Sequence, residues 1–271
     1  MRLRFWGTRG SSPVSGADFV EFGGNTPCLE VSANSTEEIV ILDSGTGARD
    51  LGTDIMKRGD KASPVIHLFL THAHWDHIQG FPFFVPAYMP RFALNIYCTK
   101  DAREFLDGQM KPPYFPVGLD IMRADLRFHR LATRDSVKIG RAVISNVPLP
   151  HPQESTAFRV EEDGRSFVLA TDTEHNPARL NETLVGHARG TDALIYDAQY
   201  TPEEYSGGKE GWGHSTFAEG IKVARAAGAK RLILFSHDPS HGDDDVRKIE
   251  RAAAELLPGT LAARQGQVLE F

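Results

Sequence analysis

The alternation of apolar and polar positions predicts a chain of many short strands interrupted by helices. Strands are expected at 3–6, 28–32 and 39–42, followed by a helix over 48–58. The run 65–70 reads as a buried strand, 93–98 as another, and 101–110 as a short helix with Asp101 near its amino end. From residue 125 the pattern turns β-rich, with strands at 126–131, 142–147, 156–161, 166–170, 193–196 and 232–235. Helical spacing returns at 217–227 and 243–257, and 267–271 closes as a strand. Three prolines exclude a long helix from 81–90, which is expected to pack over the core or wall a site. The loop at 112–117 is too apolar for a linker and suits a lid or a subunit contact. With no solenoid-like repeat and no Gly/Ser-rich linker, a single domain over 1–271 is expected.

Composition narrows the class without naming it. Hydrophobic residues at 41% and charged residues at 24% suit a soluble globular protein. A net charge of -6 weighs against a broad nucleic-acid face, so duplex DNA is not an expected partner. The amino terminus lacks the apolar core of a signal peptide, and no apolar run is long enough to span a bilayer, which makes a cytoplasmic location the default. Cys28 and Cys98 read as buried thiols.

The chemistry concentrates after the run 65–70, in Thr71-His72-Ala73-His74-Trp75-Asp76-His77. Neutral imidazoles and a carboxylate are favoured ligands of Zn²⁺ and similar ions, and a loop at a strand end can aim several at one point. A solvated His-rich loop is the bland alternative. Other strands also end on potential ligands: Asp43 after 39–42, His151 after 142–147, Asp172 after 166–170, Asp197 after 193–196 and His237 after 232–235. Singly, each has an ordinary reading; Asp43 reads locally as a helix cap and Asp172 as a turn residue. Their repetition at strand ends is what points to a site. Gly213-His214-Ser215-Thr216 precedes a helix, with Ser215 or Thr216 as its cap. The glycine-rich turns at 7–13 and 23–26 make Arg9 and Asn25 weaker substrate-contact candidates. His67, His129, His175, His187 and His241 read mainly as core or hydrogen-bonded residues.

Asp43, His72-x-His74-x-Asp76-His77, His151, Asp172 and His237, in that order, resemble the metallo-β-lactamase superfamily over essentially the whole chain. The glycine turns, Asp197-Ala198-Gln199-Tyr200 and Gly213-His214-Ser215-Thr216 resemble its phosphodiesterase branch, which holds tRNase Z-type nucleases and cyclic phosphate and cyclic-nucleotide phosphodiesterases. The resemblance implies an α/β fold, a four-layer αββα sandwich with mixed sheets and a two-metal site at one edge. It places His72, His74 and His151 on one ion, Asp76, His77 and His237 on the other, and Asp172 between them. Asp76 would serve catalysis as well as ligation. Asp43 would orient a ligand imidazole, and His214, held by Asp197, would give a proton to the leaving group. The branch usually has glutamate where Asp197 stands. Two divalent ions are implied, Zn²⁺ foremost, with Mn²⁺ or Fe compatible. The leading expectation is hydrolysis of a small, cyclic phosphodiester. The runner-up is an RNA endonuclease, weakened by the acidic balance and the lack of a long arm-like extension. A lactonase or thioesterase would leave His214 without a purpose, and a binding-only module commonly loses ligands. A homodimer is implied by the resemblance alone.

Overall fold

Alternate residues of the strand Ile39–Leu42 serve two different cores. Val40 and Leu42 join a cluster with Phe5, Phe69, Phe158, Phe167 and Phe235, whereas Ile39 and Ile41 join one with Leu51, Ile55 and Phe81. Successive side chains point to opposite faces of a strand, so an unbroken apolar run marks a strand buried on both faces. The first cluster lies between two sheets. The second fills the space between one sheet and the helix Gly47–Arg58, and a third packs the other sheet against helices Phe217–Ala227 and Asp243–Leu256. The computed structural model, which describes residues 1–271, is therefore layered helix, sheet, sheet, helix.

The strands are β1 (Arg2–Gly7), β2 (Cys28–Ser32), β3 (Ile39–Leu42), β4 (Val65–Phe69), β5 (Ala93–Cys98), β6 (Asp125–Arg130), β7 (Ser136–Ile139), β8 (Ala142–Leu149), β9 (Ser155–Glu162), β10 (Arg165–Ala170), β11 (Ala193–Asp197), β12 (Leu232–Phe235), β13 (Leu261–Ala262) and β14 (Val268–Glu270). One sheet runs β14-β1-β2-β3-β4-β5-β6 and the other β13-β12-β11-β10-β9-β8-β7. Each is antiparallel in one half and parallel in the other; β3 to β6 and β10 to β13 are the parallel sets. Loops leaving the carboxyl ends of parallel strands share one edge, where sheets of this kind hold ligands.

Apolar alternation located β2, β3, β5, β12 and the helix Phe217–Ala227 at their observed limits. It missed β7, which lies at a sheet edge with only Ile139 buried, and β13, whose two residues become a strand by pairing with β12. The helix Glu182–His187, capped by the Asn181 side chain, is also too short to show a period. Cys28 and Cys98 are free, buried thiols. No helix is long and apolar enough to cross a membrane.

Candidate metal centre

Loops from both sheets meet at the shared edge. Donor atoms of His72, His74, His151 and Asp172 lie within 4.8 Å of one another, as do those of Asp76, His77 and Asp172. Asp172 belongs to both groups. It follows β10 with a left-handed backbone, φ 54°, and Asp43 follows β3 with φ 62°. Such strain in non-glycine residues is held only where the surroundings over-determine it.

Neighbours fix which nitrogen of each imidazole faces the cluster. His77 Nδ1–H donates to Asp43 Oδ2 at 2.8 Å, which turns Nε2 inward, and Asp43 is itself held by the Thr71 backbone N–H at 2.8 Å. Asp43 therefore does not cap helix Gly47–Arg58, whose N-cap position is Thr46, with its hydroxyl bonded to the Thr26 N–H instead of the helix. His151 Nδ1–H donates to the Gly213 carbonyl at 2.7 Å, which turns Nε2 into the cluster, 3.1 Å from His74 Nδ1. His74 Nε2 bonds Gln153 at 2.8 Å, so its Nδ1 turns toward His151. Such partners set tautomer and ring orientation in metal sites.

The residues fit a divalent cation. His72 Nε2 and His77 Nε2 are buried and lack hydrogen-bond partners. His77 Nε2 sits 3.0 Å from Asp172 Oδ2 and 3.3 Å from Asp76 Oδ2 without aligning for a hydrogen bond to either. An orphaned buried nitrogen costs stability, and a cation between these atoms supplies the missing partner. Burial disfavours charge on His77, yet Asp172, Asp76 and Asp43 overcome it and raise its proton affinity well above the usual imidazole value. A field that holds a proton so firmly also attracts a metal ion. Burial and nearby His77 hold His72 well below that value, in the neutral form that ligates metals.

His214 stands at the rim of the cluster. Its Nδ1–H donates to Asp197 Oδ2 at 2.8 Å, and its Nε2 lies 3.9 Å from Asp172 Oδ1. Burial alone would lower its proton affinity, but the charge and hydrogen bond of Asp197 raise the pKa to about 9. Thr216, not Ser215, caps the following helix, while the Ser215 hydroxyl bonds His175 and Tyr196.

Three sequence expectations are corrected. His237 does not join the cluster: its Nε2 bonds the Ala263 carbonyl at 2.9 Å and its ring packs edge-on to Phe22. The reason is the backbone beyond β12, which ends at Phe235: His237 forms a parallel bridge with Arg9, its N–H bonded to the Thr8 carbonyl, and its ring goes to the Ala263 side. Ser236 is the residue turned to the other side, with φ 60° and its hydroxyl 3.3 Å from Gln199 Oε1. Arg9 is fully buried and clamps the carbonyls of Gly23, Asp238 and His241, so it is a brace and not a substrate contact. Asn25 is occupied by Asp50 at 2.9 Å. The glycine-rich turn does present a backbone N–H to an anion, but that anion is the protein's own Asp76, bonded by Ser11 N–H at 2.8 Å.

Sequence reasoning assigned no individual role to Ser11, Gln153, Glu174, Gln199 or Ser236. Glu174 accepts from the Tyr205 hydroxyl at 2.8 Å and from the backbone N–H groups of Gly211 and Gly213, tying down the loop that carries His214. Only its position, two residues beyond Asp172, hinted at this. An open groove of about 930 Å³ runs from His151 past Glu154, Glu174, His175 and Arg179. On another side, Phe83 meets Phe115 edge-on at 5.9 Å, so the two apolar segments 81–90 and 112–117 pack together beside the exposed Trp75 of the histidine loop.

Imidazoles and a shared buried carboxylate at the edge of two facing sheets define a metal-dependent hydrolase of the αββα type. The chain belongs to the metallo-β-lactamase superfamily: the model of the "Beta-lactamase superfamily domain" matches residues 39–237. A ribonuclease Z of Methanosarcina acetivorans is 25% identical over 319 residues, covering 100% of this chain and 98% of that protein. Among solved structures, the metallo-β-lactamase fold protein YhfI of Bacillus subtilis superposes with TM-score 0.75 at 17% identity, covering 100% of this chain and 98% of that one. A diphosphatase of the PhnP family gives TM-score 0.73 at 20% identity, covering 100% and 97%. The similarities agree with the phosphodiesterase and ribonuclease Z branch that the sequence motifs resemble.

Proposed function

We propose that this protein hydrolyses phosphodiesters, with His214 as the proton donor to the leaving alkoxide. The observation that carries the reading is the His214–Asp197 pair: a buried imidazole, raised to about 9 and so protonated at neutral pH, beside the bridging carboxylate. His72, His74, His151 and Asp172 would hold one divalent ion, and Asp76, His77 and Asp172 a second. Bound there, such ions supply Lewis acidity that polarises a phosphoryl oxygen and acidifies water. Asp43 and the Gly213 carbonyl hold His77 and His151 in their ligating tautomers, and Asp197 keeps the His214 Nε2 proton directed at the cluster. The mixed imidazole and carboxylate donors favour Zn²⁺, with Mn²⁺ or Fe compatible.

Full-length similarity to a ribonuclease Z supports RNA as the substrate ahead of the small cyclic phosphodiester that leads from sequence. The small phosphodiester is the second reading, supported by the net charge of -6 and by Glu154, Glu174 and Glu182 in the groove, which repel a long phosphate backbone. One panel decides: precursor tRNA with a 3′ trailer, ribosyl cyclic phosphate, cyclic nucleotides, bis-p-nitrophenyl phosphate and a lactone, with Zn²⁺ and Mn²⁺ compared. Endonucleolytic cleavage of the precursor supports the first reading, turnover of small diesters alone the second. Lactone hydrolysis without any phosphodiester turnover overturns both.

A further inference from the structure

The two halves of the metal centre have unequal ligand sets, and the inequality begins at one residue step after β12. His72, His74, His151 and Asp172 form a four-donor set with three imidazoles; Asp76, His77 and Asp172 form a three-donor set with one. The residue that would complete the smaller set by the superfamily resemblance, His237, is turned away. Its backbone is pinned on both sides, His237 N–H donating to Thr8 O and Gly10 N–H to His237 O, each at 3.0 Å. Its ring is buried, bonded to Ala263 and packed on Phe22, and burial holds it neutral, at about 3. Turning the ring to the cluster would break these backbone bonds as well as the bond to Ala263.

Ser236 occupies the site-facing position instead. It shares the left-handed backbone of Asp43 and Asp172, φ 60° against 62° and 54°, and like Asp43 it is the first residue after its strand. Polar contacts connect it to the smaller set: Ser236 Oγ to Gln199 Oε1 at 3.3 Å, Gln199 Nε2 to Ser11 Oγ at 3.1 Å, and Ser11 N–H to Asp76 Oδ2 at 2.8 Å. That last bond also occupies one oxygen of Asp76. A neutral hydroxyl is a much poorer ligand than an imidazole for ions of the zinc type.

We propose that the two metal positions differ in affinity: the His72, His74, His151 and Asp172 position would fill first and tightly, and the Asp76, His77 and Asp172 position, beside which Ser11, Gln199 and Ser236 stand in place of a further imidazole, would bind a second, readily exchanged ion. The inference rests on the divalent-metal reading of the site. It makes the second ion a point at which metal supply sets the enzyme's state.

Titration of metal-free protein with Zn²⁺ by calorimetry, with bound metal counted after gel filtration, tests it without any substrate. Altering only the partners of metal ligands changes affinity about 10- to 100-fold, so a missing ligand predicts dissociation constants at least tenfold apart. His237→Gln should leave both phases in place, Asp76→Asn should remove only the weak phase, and Ser236→His should tighten the weak phase by tenfold or more. Two ions of equal affinity in the unaltered protein, or loss of a phase in His237→Gln, would overturn the inequality while leaving the phosphodiesterase reading intact. Failure to bind any Zn²⁺ would overturn the metal reading itself.

Discussion

His214 and Asp172 carry the sharpest consequences at the scale of single residues. General acid catalysis contributes about 10²- to 10⁴-fold, so His214→Ala should lose turnover in that range on substrates with poor leaving groups while keeping its metals. Undiminished turnover would remove His214 from the acid role. His214 donates only while protonated, and its folded value of about 9 lies above the unfolded 6.5. Its acid function is therefore lost as pH rises through about 9, and its contribution to stability is full below pH 6.5 and lost as pH rises through about 9. Asp197→Asn removes the charge and the bond that raise that value, and should move the alkaline limb of the kcat profile to lower pH; a limb that stays put assigns it to another group. Asp172→Asn touches both ligand sets and should lower bound metal at both, measured by elemental analysis.

The element that matters most is the loop between β11 and the helix Phe217–Ala227, because it positions His214 and also supplies the carbonyl that orients His151. Glu174 ties this loop from outside through Gly211 and Gly213. Glu174→Gln keeps the shape but replaces one acceptor oxygen by a donor, and should lower kcat by roughly tenfold, the lower end for partners of site ligands. The global unfolding midpoint should move little, and a parallel collapse of stability would make the residue merely structural. Gly213 is irreplaceable for two reasons: φ is 86°, and a Cβ there would stand 2.3 Å from His151 Nδ1. Gly213→Ala should therefore weaken metal binding through His151, seen as a fall in zinc content.

Whole-molecule behaviour follows from two histidines outside the ligand sets, the half-buried His187 and the buried His237. Burial, reinforced by Arg159, lowers His187 to about 4, and burial lowers His237 to about 3. Between pH 6.5 and about 4 the unfolded chain binds protons that the folded chain refuses, so stability is full above pH 6.5 and declines as pH falls through that window. Urea midpoints measured across it should show the slope, and His187→Gln should flatten it. Removing an ion present at a thousand times its dissociation constant costs about 4 kcal/mol, which lowers Tm on the order of 10 °C. An unchanged Tm after chelation would show that the cluster folds without metal.

Most of the elements and most of the candidate ligands are legible in the local sequence. Buried runs such as Ile39–Leu42 and the cluster His72 to His77 are local, and periodicity and ligand chemistry are readable wherever a few neighbouring residues settle the outcome. Tertiary structure decided the matters that depend on distant partners. Short pieces such as Leu261–Ala262 became strands by pairing, and Arg9 was drawn into a buried brace by carbonyls more than two hundred residues away. Residue order places a histidine after β12, but only the paired strand fixes which of Ser236 and His237 faces the cluster. That backbone path makes the difference total: the side chain turned toward Gln199 is a hydroxyl, and the imidazole one residue further on is bonded to Ala263.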